Sequence, residues 1–135
     1  MMRMCYGIDN AINGIPSCLH GDFMNNLLRK DWGFAGLIVS DQDSIHDAWA
    51  GHRYGESFAN VTALGIKAGC DQNDGKTYSQ NGIAAVQQGL MTEHDVRWHT
   101  ELAIPTPSAV SRSGDSPPSP AGVAHCNLAG GPSSE

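Results

Sequence analysis

The residue in this sequence best placed to do chemistry is a carboxylate at the end of a short apolar run. Leu37-Ile38-Val39-Ser40-Asp41 reads as a strand, opened by Gly36 and closed by polar residues. Side chains alternate along a strand, so Asp41 projects to the same side as Leu37 and Val39. An aspartate, with an ordinary pKa of about 3.9, is ionised at neutral pH and suits nucleophilic attack. The competing reading is structural: Asp41 caps the helix that follows through Asp43-Ser44-Ile45. Asp43 stands immediately before Ser44 and is the better cap, which would leave Asp41 without a structural task.

Other chemically capable residues carry weaker patterns. His46, Asp47 and His52 are metal-ligating types, but no third ligand has metal-site spacing, and they read as loop or helix-surface residues. Asp71-Gln72-Asn73-Asp74-Gly75 resembles a calcium loop with its glycine one position early and Gly82 where the twelfth-position glutamate belongs. Cys5 and Cys18 are spaced for a loop disulfide in an oxidising compartment or are reduced buried thiols, while Cys70 and Cys126 have no evident partner. Asn60-Val61-Thr62 is a glycosylation sequon inside an expected helix. Trp32, Trp49 and Trp98 could stack on sugars, but each reads more simply as packing.

The elements that position Asp41 follow from the apolar pattern. Phe23, Met24, Leu27 and Leu28 make a helical stripe over Asp22 to Lys30, stopped at Trp32-Gly33. The non-alternating run at 36–40 suits a strand covered on both faces, as in a parallel sheet. A second helix runs from an N-cap at Ser57 through Val61, Leu64 and Ile66 to Gly69. Ala68-Gly69-Cys70-Asp71 then forms a very short strand, followed by amphipathic stretches from Ile83 to Gln88 and from Glu93 to Leu102. Thr92 caps the last of these, with Asp95 at the capping-box position. A weak first strand falls at about Arg3 to Tyr6.

This order is the βα alternation of a parallel sheet. A closed (β/α)₈ barrel needs about 200 residues or more, so the expected fold is α/β, a partial barrel of about three βα units over residues 1–103. Open parallel edges would remain wherever the other units belong, which makes the chain look like part of a larger domain.

The segment Trp32-Gly33-Phe34-Ala35-Gly36-Leu37-Ile38-Val39-Ser40-Asp41 is similar to the WGF-x-G-x-x-VSD signature of glycoside hydrolase family 3, which includes β-glucosidases and β-xylosidases. Asn10 to Cys18 resembles its NAINGVPSC segment, and Leu27 to Asp31 its LLR-(K/G)-(E/D) helix end. Ala68 to Asp71 resembles its KAG-x-D strand, and Val86 to Val96 its AV-x-x-G-x-(V/L)-(T/S)-E-x-x-(V/I) helix pair. The run Asp41 to Ile45 is closest to the β-xylosidase-like branch.

The resemblance implies roughly the sixth to eighth strand units of a TIM-like barrel, with Asp41 as catalytic nucleophile of a retaining glycosidase. Such an enzyme pairs an ionised carboxylate with a protonated one about 5–5.5 Å away. In the family the second comes from a C-terminal domain or an earlier barrel loop, and neither matches a segment here. Glu56, Glu93 and Glu101 fall on expected helices away from the strand ends, and Glu135 in the tail. Little or no activity is therefore expected of the isolated chain. The implied substrate is an oligosaccharide or β-glycoside ending in glucose or xylose, with no cofactor and the remainder of a parent enzyme as partner. The family's Cys-Ser-Tyr-Asn is replaced by Cys5-Tyr6-Gly7-Ile8-Asp9-Asn10, two residues longer, so Tyr6 takes the active-site tyrosine's role or Asp9 occupies its place. Gln42, where many members have tryptophan, either hydrogen-bonds a sugar hydroxyl or is a solvated loop amide.

Composition sets the outer bounds. The chain has 135 residues, 14 acidic against 8 basic, and a net charge of −6 without a Lys/Arg cluster, which removes the electrostatic basis for general nucleic-acid binding. Its longest strongly apolar run, Leu37 to Val39, is far below the roughly 20 residues of a membrane span. Met1 to Asn10 show no apolar central region, so no export signal is expected within them. Residues 104–135 hold 6 Pro, 4 Gly and 7 Ser without an aromatic, a composition expected to stay disordered. Two function classes follow: a glycosidase or a piece of one, and a non-catalytic carbohydrate-binding or truncated remnant.

Overall fold

The computed structural model describes residues 4–7 and 9–103; the expected tail at 104–135 and Cys126 lie outside the described residues. The fold is mixed α/β. Strand β4 (Leu37–Ser40) pairs in parallel with β1 (Met4–Gly7), in a register that sets Met4 opposite Leu37 and Gly7 opposite Ser40. On its other side β4 meets the segment at Gln72 through a single parallel bridge to Val39. Flanked on both edges, β4 is central, and Ile38, Val39 and Ser40 are all buried.

The short strand expected at 68–71 is reduced to that one bridge. Asp71 explains why: its carboxylate Oδ2 accepts the Ile38 N–H at 2.8 Å, while the Ile38 carbonyl accepts from the Asp71 and Gln72 amides. A side chain thus takes a rung that a backbone carbonyl would fill in a regular ladder.

Between β1 and the first helix runs a small hairpin, β2 (Ala11–Ile12) and β3 (Ile15–Pro16). Asn13 and Gly14 turn it with φ of 53° and 83°, the left-handed pair that such two-residue turns require. A 3₁₀ turn (Ser17–Leu19) then carries Cys18 and Leu19 into the core. The helix Asp22–Asp31 is wound with wide, π-type hydrogen bonding and buries Met24 and Leu28. It ends where Trp32 N–H reaches back to the Leu27 carbonyl at 2.9 Å.

Helices α1 (Ser44–Ala50), α2 (Phe58–Ala68), α3 (Thr77–Gln87) and α4 (Glu93–Ala103) complete the described residues. Ser57 caps α2 as expected, its hydroxyl oxygen accepting the Asn60 N–H at 3.1 Å, and Gly69 closes the helix at φ +101°. An L residue would be strained at this positive φ, and its Cβ would displace the Asn25 side-chain amide. The sequon residue Asn60 lies within α2, with Val61 and Thr62 fully buried beside it. Helix α3 begins six residues before the expected Ile83, through the polar run Thr77 to Asn81. The capping box of α4 is formed: Thr92 Oγ1 accepts the Asp95 N–H at 3.2 Å and Asp95 Oδ2 accepts the Thr92 N–H at 2.8 Å.

The core has two parts. Ile38 and Ile45, with Val61, Cys18 and Cys70, fill the space between β4 and the helices that cover it. Ala63, Ile66, Ala85 and Met91 join α2, α3 and the turn before α4. Gly65 lets α2 and α3 approach, since a Cβ there would meet Tyr78 Oη at 2.5 Å and Ile45 Cδ1 at 3.0 Å.

Candidate active site

Asp41 stands one residue past the C-terminal end of β4 and is exposed. Its carboxylate accepts the Gln42 N–H at 2.8 Å, and its carbonyl accepts from Ser44 N–H at 3.2 Å and Ser40 Oγ at 2.8 Å. The carboxylate caps no helix. Asp43 occupies the N-cap position of α1, as its place in the sequence suggests, yet its side chain makes no cap bond because its backbone is left-handed, φ 57°. The Asp43 amide donates instead to the Asp74 carbonyl at 2.7 Å.

Ser40 holds the strand end in place. Fully buried, its hydroxyl accepts from the Asp74 N–H at 2.9 Å and Asn73 Nδ2 at 3.2 Å while donating to the Asp41 carbonyl. This ties the 72–74 segment to the residue that carries the candidate nucleophile. Nothing local in the sequence marks Ser40 for this task, because its partners lie more than thirty residues away.

Asp9 was the alternative occupant of the tyrosine position, and it lies just past β1, next to the strand end that bears Asp41. Its carboxylate accepts a short hydrogen bond from the Ser44 hydroxyl, and its carbonyl pairs with His52 Nε2 at 2.7 Å. Tyr6 lies within β1 opposite Val39, and its side chain is outside the described residues. Gln42 is exposed beside Asp41. Two features near the site were not read from the sequence: the Asp9–Ser44 contact and the Asn13-Gly14 hairpin. The Asn-Gly pair between Ile12 and Ile15 is a hairpin signal that could have found the second.

The histidines are otherwise engaged. His46 stacks on Phe58 at 5.0 Å between ring centroids and pairs with Asp47 at 3.1 Å. Among the described residues, no three His, Cys, Asp or Glu side chains converge as a metal site would need. The calcium-like run is dispersed as well, since Asp71 turns inward to Arg29 Nη2 at 2.5 Å and His99 Nδ1 at 2.6 Å. Glu56 lies ahead of α2 in a bend instead of on a helix. Trp49 is half-buried with Arg53 over its ring at 5.9 Å, and Trp32 is exposed ahead of β4, at the end away from Asp41. The side chain of Trp98 is outside the described residues.

Beneath Asp41 lie two thiols. Cys18 is free, so no Cys5–Cys18 disulfide is formed, and its neighbour is Cys70, which the sequence left without a partner. Cys70 Sγ donates to the Gln72 carbonyl at 3.5 Å. The influence of Cys70 lowers the Cys18 pKa against the opposing effect of burial, while Cys18 and then burial push Cys70 well up.

Known proteins resemble this chain over most of its described length. A probable exo-1,4-β-xylosidase, xlnD, of Aspergillus clavatus is 38% identical over 89 residues, 64% of this chain and 11% of its own length. The probable β-D-xylosidase 6 of Arabidopsis thaliana is 38% identical over 84 residues, 62% of this chain and 10% of its own. Among solved structures, a family 3 exo-β-xylosidase in complex with a xylobiose aziridine activity-based probe superposes with a TM-score of 0.63 at 28% identity, covering 81% of this chain and 15% of that one. A β-glucosidase involved in saponin metabolism from intestinal bacteria gives 0.70 at 21% identity, over 74% of this chain and 13% of its own, a likeness of fold. The chain therefore spans about a tenth of the length of the curated relatives it matches. The family model described as glycosyl hydrolase family 3 N-terminal domain matches residues 5–101, and the chain belongs to that family.

Proposed function

We propose that this chain supplies the nucleophile-bearing part of a retaining β-glycosidase site, acting on terminal β-linked xylose or glucose in oligosaccharides. The observation that carries this reading is Asp41: an exposed carboxylate at the C-terminal end of a buried central strand, in the position of the family's VSD aspartate. That end of a parallel strand is where barrel enzymes place catalytic groups. The named xylosidase relatives favour xylose.

Residues 1–103 are part of a TIM-like barrel, about three βα units. In the reaction, Asp41 attacks the anomeric carbon from the face opposite the leaving group, forming a glycosyl ester. A second, protonated carboxyl donates its proton to the departing oxygen and then activates the water that cleaves the ester. That second group belongs to the rest of a parent enzyme, the chain's partner. Gln42 donates a hydrogen bond to a sugar hydroxyl, and Tyr6, or Asp9 in its place, lines the sugar pocket.

Purified chain and its Asp41→Ala variant, assayed with nitrophenyl β-xyloside and β-glucoside, test this division of labour. Turnover at the level of the Ala variant is expected, because one carboxylate of the pair is absent. Robust turnover that disappears in Asp41→Ala would overturn the claim that the second group lies elsewhere. Saccharide binding unaffected by Asp41→Ala would favour a carbohydrate-binding module instead.

A further inference from the structure

The sequence holds two Asn-Gly pairs, Asn13-Gly14 and Asn81-Gly82, and glycoside chemistry uses neither. Such a pair carries a reaction of its own. With no side chain on the glycine to block approach, its amide nitrogen can attack the asparagine side-chain amide and displace ammonia. The attack needs a free backbone N–H, a free side-chain amide and room for the backbone to rotate.

The two pairs lie in opposite surroundings. Asn81 and Gly82 are inside α3, where the Gly82 N–H falls within the helical hydrogen-bond ladder and Asn81 Nδ2 donates to the Thr77 carbonyl at 2.9 Å. Asn13 and Gly14 form the exposed tip of the β2–β3 hairpin. Among the described residues, no hydrogen bond engages the Asn13 side chain or the Gly14 N–H. The space beside Gly14 is open, with nothing within 4 Å of where a Cβ would sit. Behind the tip the strands meet in two residue pairs, Ala11 with Pro16 and Ile12 with Ile15, so local opening costs little.

We infer that Asn13 is a self-modification site: the Gly14 amide nitrogen cyclises onto the Asn13 side chain, and water opens the ring to aspartate and isoaspartate at that position, while Asn81 in α3 is spared.

The Gly14 nitrogen gives its proton to solvent base and bonds to Asn13 Cγ. The Cγ–Nδ2 bond breaks, Nδ2 takes up a proton and leaves as ammonia, and a succinimide ring remains. Water then adds to one of the two ring carbonyls. Opening at Cγ gives aspartate in the original chain; opening at the backbone carbonyl carbon reroutes the chain through Cγ and gives isoaspartate. One water enters, one ammonia leaves, and nothing is oxidised. Both products bring a negative charge to the turn. Isoaspartate also adds a backbone atom to a two-residue turn whose length fixes the strand register. The hairpin closes where the Ser17 N–H, at 2.9 Å, and the Ser17 hydroxyl both donate to the Asn10 carbonyl. Asn10 adjoins Asp9, whose carboxylate accepts from Ser44, so isoaspartate strains the segment tied to the end of β4.

The test incubates the full chain at mildly alkaline pH in heavy-oxygen water and digests it with trypsin, which places Asn13 in residues 4–29 and Asn81 in 77–97. Electron-transfer fragmentation locates the heavy oxygen and separates aspartate from isoaspartate. A parallel sample in concentrated urea gives the rate of each pair without structure. In the native chain Asn13 should convert at least about ten times faster than Asn81, the ratio that about 1.4 kcal/mol of helix opening supplies. Isoaspartate should be among the products, the rate should rise with pH, and in urea the two rates should converge. Equal conversion of the two pairs in the native sample, faster conversion of Asn81, or an unchanged Asn13 where the urea sample converts would overturn the proposal. It stands independently of the glycosidase reading.

Discussion

Asp71→Ala should be among the most damaging single substitutions in the chain. The Asp71 side chain is fully buried; its Oδ2 accepts from both Arg29 Nη2 at 2.5 Å and the Ile38 N–H at 2.8 Å, and its Oδ1 is paired with His99 Nδ1 at 2.6 Å. Removing it leaves the Ile38 amide, in the centre of the sheet, without an acceptor, at about 1–3 kcal/mol. It also leaves the Arg29 guanidinium, 17% exposed, without its counter-charge. Breaking a buried pair from one side costs about 3–5 kcal/mol in total. Arg29 keeps its bonds to the carbonyls of Gly36 and Gly69, at 3.1 and 3.5 Å, so the lower half of that range is expected. Urea unfolding followed by circular dichroism, with a slope of about 1–3 kcal/mol per M, would register this as a midpoint lower by about 1–4 M. Asp71→Asn keeps an acceptor for one amide and should lose less. An Ala variant within 0.5 kcal/mol of wild type, a threshold on the order of ordinary surface substitutions, would refute the reasoning.

Three further outcomes follow from the same contacts. Ser40→Ala strands the Asp74 amide and the Asn73 side chain, so it should cost about 1–3 kcal/mol, read from the shift in urea midpoint. Gly65→Ala should destabilise by about 1–3 kcal/mol despite alanine's higher helix propensity, because its methyl group would overlap Tyr78 Oη; a rise in melting temperature would contradict the packing described. Asp95 is held below the ordinary carboxylate value by hydrogen bonds from the Thr92 amide and then its hydroxyl. With the folded pKa depressed, its contribution is present above the unfolded value and is lost as pH falls through the folded one. The stability gap between wild type and Asp95→Asn should therefore be constant near neutrality and close in acid, which a pH series of urea midpoints would show.

The elements that the sequence makes legible are those whose signals are local. Ser57 and Gly69 bracket α2, and Thr92 with Asp95 starts α4, because a cap and its helix lie within three or four residues of each other. The strand carrying Asp41 is equally plain, since a β-branched run buried on both faces needs no alternation. What escaped the reading depends on distant partners. Asp71 looks like the end of a strand until Ile38 and Arg29 are brought against it, and then its side chain replaces a ladder bond. The polar start of α3 hides its first six residues, because an apolar stripe appears only from Ile83 onward while Thr77 and Tyr78 pack inward. Cys18 and Cys70 share one core cluster, a proximity that spacing alone cannot reveal. At the site itself, Asp41 is visible from the motif and Asp9 as an alternative for the tyrosine position, while the Asp9–Ser44 contact and the ties of Ser40 to Asn73 and Asp74 depend on residues more than thirty positions apart.

The central claim, that Asp41 is a nucleophile toward an anomeric carbon, is tested most directly by trapping it. A 2-deoxy-2-fluoro-β-xylosyl fluoride carries a leaving group that departs without an acid catalyst, so the reaction at Asp41 does not depend on a second carboxyl. Incubation of the full chain followed by peptide mass mapping should give one covalent xylosyl adduct, on Asp41, and none in Asp41→Asn. No adduct at saturating reagent, or an adduct on Asp9 or Asp43 that persists in Asp41→Asn, would contradict the account.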